Sequence, residues 1–227
     1  MAHRGASGYL PEHTLAAYEL GLRLGADAFE IDVVPTADGH LVARHENDLT
    51  GSTDVAAHPE LADRRTIKVI EGVRHMGWFT EDFTLAEIGT LRAREPLPAL
   101  RSTEHDGQYA VPALPEILTL RAQLAQEMGR PVGLKLEVKS PVHFAGIGHA
   151  VEDLLLRDLA AAAAQNDPAL NHAHQTLAVA ACADLAPLLP PHAQEAMLLA
   201  LAKSLANSQG GGDLGRMAER AIAASPG

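Results

Sequence analysis

Glu30 and Asp32 stand one residue apart in the apolar stretch Asp27-Ala-Phe-Glu-Ile-Asp-Val-Val34. The β-branched neighbours predict a buried strand, so both acids share one face and Ile31 and Val33 the other. Two carboxylates turned toward one interior are costly unless something positive sits between them. A divalent cation with oxygen ligands is the natural candidate. A second stretch, Leu134-Lys-Leu-Glu-Val-Lys139, sets Lys135, Glu137 and Lys139 on one face and Leu134, Leu136 and Val138 on the other. With His3, Arg4 and His45, these residue types suit phosphodiester cleavage. Carboxylates hold a cation that neutralises phosphate oxygens. Arg4 offers a bidentate fork and Lys139 a point charge for the same oxygens. Two histidines can divide general-base and general-acid work near neutral pH.

The elements that must position this set follow from local patterns. His3 to Pro11 is a glycine-rich loop. Thr14 to Leu24 has helical spacing, with Leu15, Tyr18 and Leu22 on one stripe and Gly25 at the stop. After the Glu30/Asp32 strand, Pro35-Thr-Ala-Asp-Gly39 is a turn, and Leu41 to His45 reads as a short strand. The link is too short for a helical crossover, so either a hairpin excursion or an omitted helix fits. Residues 46–112 read as an insertion, irregular apart from one helix opened by the capping box Thr84-Leu-Ala-Glu87. Pro115 to Met128 reads as a helix with Ile117, Leu120, Leu124 and Met128 on one face and Gly129 ending it. The final third is mostly alanine- and leucine-rich helix, including Gly148 to Gln165 and Glu195 to Ala206, with a short strand near Thr176. Alternation up to about residue 140 argues for an α/β fold with a parallel sheet.

Composition bounds the function. The 227 residues are enough to bury a core, read here as one domain over 1–227. A net charge of −11 disfavours nonspecific binding to nucleic acid, while a local cationic cluster still permits a small anionic substrate. The one cysteine, Cys182, excludes an intrachain disulfide and reads as a buried small residue. No signal peptide or apolar run of spanning length is present. His172-Ala-His174 lacks a nearby acid pair and reads as a solvated loop, as Glu60, Asp63, Arg64 and Arg65 read as a solvated face.

The ordered set resembles the glycerophosphodiester phosphodiesterase family. The match runs through His3-Arg-Gly, Pro11-Glu-His-Thr14, Glu30-Ile-Asp-Val-Val-Pro-Thr-Ala-Asp-Gly39, His45-Glu-x-x-Leu-x-x-Ser-Thr-Asp-Val55 and Glu137-Val-Lys139. Gly77-Trp-Phe-Thr-Glu-Asp-Phe-Thr-Leu-Ala-Glu87 is similar to the long subgroup, whose members are often exported. The resemblance implies a TIM-type (β/α) barrel, with the insertion after its third strand. Against the family's pattern the chain is expected to be shortened at both ends, and the barrel incomplete. Glu30, Asp32 and Glu137 are then expected as metal ligands, with calcium favoured over magnesium. His3 and His45 would be the acid–base pair, Arg4 and Lys139 the phosphate contacts, and Glu12 an orienting residue behind them. The implied reaction is hydrolysis of glycerophosphodiesters, such as glycerophosphocholine, to sn-glycerol 3-phosphate and an alcohol. Periplasmic or secreted localisation and a possible homo-oligomer follow as expectations. The alternatives are a lysophospholipid-type substrate, or a non-catalytic fragment or metal-binding module.

Overall fold

The structure is a computed structural model that describes residues 1–163, all within one compact unit, Met1–Ala169. The expectations for His172, His174, Cys182, the Thr176 strand and the Glu195 helix lie outside the described residues.

Helix α1 (Leu15–Arg23) begins where Thr14 Oγ1 accepts from Ala17 N. Its buried face is Ala17, Tyr18, Gly21 and Leu22, with Leu15 on the flank. Tyr18 stacks against Phe29, ring centroids 4.7 Å apart, joining the helix to strand β1 (Ala28–Pro35). β1 is buried along nearly its whole length and forms the middle of a three-stranded sheet. Strand β2 (Leu41–Ala43) pairs with it antiparallel, Val33 opposite Ala43 and Pro35 opposite Leu41. The connection is therefore the hairpin excursion. Thr36 N donates to His40 O, and Gly39 takes the positive φ of 73° that the turn needs. β2 is shorter than its sequence suggests, leaving Arg44 and His45 beyond its end.

Ala2 adds an isolated parallel bridge to Phe29 on the same edge of β1, a one-residue counterpart of a first strand. The chain leaves β2 after Ala43 and returns to it at Ala113, with Ala43 N donating to Pro112 O. Between these points lies the insertion. It holds the expected helix, α2 (Leu85–Ile88), with the Thr84/Glu87 capping box formed. It is less irregular than expected: Thr66–Ile70 (β3) and Val73–Gly77 (β4) make an antiparallel hairpin. Within it, Arg64 is half-buried rather than fully solvated, its guanidinium 4.1 Å from the Phe83 ring centroid.

Helix α3 (Leu114–Met128) is stopped by Gly129 at φ 62°. Its buried stripe is Leu114, Ile117, Leu118, Arg121 and Leu124, so Leu120 and Met128 sit on the flank instead of the inner face. Strand β5 (Gly133–Val138) then pairs parallel with β1, in the register Glu30↔Lys135 and Asp32↔Glu137. Helices α4 (Pro141–Gly146) and α5 (Val151–Ala163) follow, the latter inside the span expected from Gly148. The architecture is α/β, with β1 the strand on which the site depends.

Candidate functional site

The register of β1 and β5 brings the three acids together. Side chains two residues apart on β1 share a face, and the parallel partner puts Glu137 beside Asp32. Glu30, Asp32 and Glu137 each present a carboxylate oxygen within 4.8 Å of the others. Glu30 and Asp32 are both 1% exposed, and Asp32 Oδ1 is buried with no hydrogen-bond partner. An orphaned buried oxygen in an all-oxygen cluster fits a hard divalent cation. Two lysines border the cluster. Lys139 Nζ lies 2.9 Å from Glu137 Oε1 and 3.9 Å from Asp32 Oδ1. Lys135, on the same face of β5, lies 3.5 Å from both Glu30 and Glu137. The Glu137 carboxyl is held below its usual range, chiefly by the Lys139 hydrogen bond.

The loop before α1 supplies the next groups. Arg4 and Gly5 both take positive φ, 58° and 80°, and a Cβ at Gly5 would meet the Ala17 carbonyl carbon at 2.6 Å. Only glycine lets the loop lie this close to α1. Arg4 N then donates to Glu30 Oε2 at 3.2 Å, and Arg4 Nη1 donates to Glu12 Oε2 at 3.1 Å. Arg4 Nε sits 3.3 Å from Asp32 Oδ2. Glu12 is buried and acts on the site through Arg4. His3 Nε2 is 3.6 Å from Glu30 Oε1 with its ring largely exposed. His45 follows β2, half-exposed, with Nδ1 2.7 Å from Glu46 Oε1. His3, Arg4, Glu12 and His45 line one cavity of about 640 Å³, whose far wall belongs to the insertion. All eight residues singled out in the sequence therefore lie at or beside one strand end.

Several supporting residues were not legible in the sequence. His13 is fully buried between Asp32 Oδ2, 2.9 Å from its Nε2, and the Tyr18 hydroxyl, 2.7 Å from its Nδ1. Burial drives its pKa below the usual value against the pull of Asp32, so the ring is neutral. The partners then assign the tautomer: Nε2–H donates to Asp32, and Nδ1 accepts from Tyr18. Burial also raises the Asp32 carboxyl, but the His13 hydrogen bond and the charges of Lys139 and His45 outweigh it, and the net shift is downward. Arg44 is buried behind Glu12 and donates from Nη1 to the Glu12 carbonyl; desolvation lowers its pKa to about 10. Glu81, in the insertion, accepts from Asn47 Nδ2, lies 2.9 Å from Lys68 Nζ and 3.2 Å from His143 Nε2. It ties the insertion to the loop after β2 and to α4. The one signal for His13 was its place inside Pro11-Glu-His-Thr14.

Comparisons with known proteins agree with this geometry. Residues 3–197 match the model of the glycerophosphoryl diester phosphodiesterase family. A glycerophosphodiester phosphodiesterase of Arabidopsis thaliana is 38% identical over 142 residues, covering 63% of this chain and 37% of the relative. One from Bacillus subtilis is 32% identical over 151 residues, covering 65% and 42%. The crystal structure of a candidate glycerophosphoryl diester phosphodiesterase from Silicibacter pomeroyi superimposes with a TM-score of 0.50 at 26% identity, covering 72% of this chain and 52% of that one. The chain thus spans about half or less of the length of these relatives. The fold is the TIM-type α/β barrel of these phosphodiesterases, of which β1 and β5 are the parallel pair among the described residues and β2 an antiparallel excursion at the end of β1.

Proposed function

The chain belongs to the glycerophosphoryl diester phosphodiesterase family, and from that premise we propose that it hydrolyses glycerophosphodiesters, glycerophosphocholine among them, to sn-glycerol 3-phosphate and an alcohol. The observation that carries this reading is the convergence of Glu30, Asp32 and Glu137 on a point beside Arg4 and Lys139, at a cavity shared by His3 and His45.

In this reading the three carboxylates hold calcium, which when bound offsets charge on a phosphate oxygen. Arg4 grips a second phosphate oxygen, its guanidinium held in place by Glu12. Lys139, paired with Glu137 at 2.9 Å, would offer its ammonium to a phosphate oxygen. His3 and His45 divide the proton traffic: one takes a proton from the water that attacks phosphorus, and the other gives one to the departing alkoxide as the P–O bond breaks. His13 keeps Asp32 ionised and aimed.

The test is release of sn-glycerol 3-phosphate from glycerophosphocholine, with calcium or with chelator. Glu30→Ala, His3→Ala and His45→Ala should each lower turnover by about 10²–10⁴-fold. Variants that keep wild-type turnover would overturn the assignment of these roles, and undiminished turnover in chelator would remove the ion from it.

A further inference from the structure

The cavity does not end at the reacting groups. Its far wall is built by the insertion, from Ile70, His75, Pro96, Leu97 and Arg101. Its volume of about 640 Å³ is far larger than a phosphate group needs. That wall carries one guanidinium with unused donors. Arg101 is only 29% exposed; its buried Nη1 faces Glu95 and makes no hydrogen bond, so the donors open to the cavity are the remaining ones of the fork. Among the described residues its one ion-pair partner is Glu95, no nearer than 3.7 Å. Glu95 Oε1 already accepts from Leu97 N at 2.8 Å. A guanidinium has five N–H donors in a fixed fork, suited to a planar or phosphate anion. The wall beside His45 has the opposite sign: Glu46 pairs with His45, and Asp48 accepts from Thr50.

Resting on the hydrolase reading above, we propose that Arg101 is a specificity-determining residue that favours diesters whose leaving alcohol carries a second anion, above all a carboxylate. The reacting phosphate sits with Arg4 and the carboxylates at the strand end, while the head group extends along the cavity to the insertion. A head group bearing both an ammonium and a carboxylate meets Glu46 and Asp48 with the first and Arg101 with the second.

Glycerophosphoserine and glycerophosphoethanolamine differ by that carboxylate alone. The measurement is kcat/KM for both substrates in wild type, Arg101→Gln and Arg101→Lys. Wild type should favour the serine diester, and the ratio should fall about tenfold or more in Arg101→Gln, the loss of one charge-assisted contact. Arg101→Lys, which keeps the charge without the fork, should fall between. Continued turnover of the ethanolamine diester shows that the variant is folded. An unchanged ratio, including one from equal losses on both substrates, overturns the proposal, because Arg101 would then serve the reacting phosphate or the fold. If the wild type cleaves neither diester, the hydrolase reading itself fails and the specificity role falls with it.

Discussion

His13 shows how much of the carboxylate cluster rests on a residue buried behind it. Its ring is clamped between Tyr18 and Asp32, and Tyr18 is itself stacked on Phe29. Packing of the apolar core is thus transmitted to the angle of one carboxylate. Outer partners of this kind are worth about 10–100-fold in metal affinity. His13→Leu should therefore weaken calcium binding by that factor, measured by titration calorimetry, while thermal unfolding stays cooperative. Unchanged affinity would mean that the Asp32 rotamer is fixed by β1 alone. The sequence hid His13 because a lone histidine beside Glu12 carries no periodicity. Glu30 and Asp32 were legible because strand geometry leaves two acids in phase no other arrangement.

At the scale of elements, those whose burial follows a local period were readable: β1, α1, and α3 with its Gly129 stop. The β3–β4 hairpin was not. Ile67, Val69, Val73 and Met76 are exposed, so its apolar residues mark no core face. The partner of β5 was also invisible, since pairing across the insertion leaves no local trace. What fastens the insertion is Glu81, whose carboxyl is desolvated yet held below its usual pKa by hydrogen bonds and by Lys68. A carboxyl depressed on folding adds stability that is present above the unfolded value, about 4.5, and is lost as pH falls through the folded one. Glu81→Gln should cost about 2 kcal/mol at pH 7, the scale of a charged hydrogen bond. The gap between wild type and variant should close as urea midpoints are followed below pH 4.5. A gap independent of pH would assign the cost to packing.

For the whole molecule, a net charge of −11 sits uneasily with an anionic substrate; Arg4, Lys135 and Lys139 offset most of the charge of Glu12, Glu30, Asp32 and Glu137, and a bound divalent cation would turn the local sign positive. The three acids, with oxygens within 4.8 Å of one another, repel, and an ion that binds only the folded state would relieve the repulsion. Calcium at a hundred times its dissociation constant contributes about 2.7 kcal/mol, which for a chain of this size raises Tm by about 5–10 °C. Chelator should return the melt to its starting point; a melt indifferent to both would leave the carboxylate cluster with the lysines alone.

The pairing of Asp32 with Glu137 closes a span of 105 residues, the same separation that divides Lys135 from Glu30. Contacts so distant along the chain form late, because the entropy of bringing them together is lost before they return anything. The carboxylate cluster is thus absent for most of the folding trajectory. In stopped-flow experiments calcium should slow unfolding and leave the refolding rate where it was. Faster refolding in calcium would mean that β1 and β5 find each other before the intervening insertion settles.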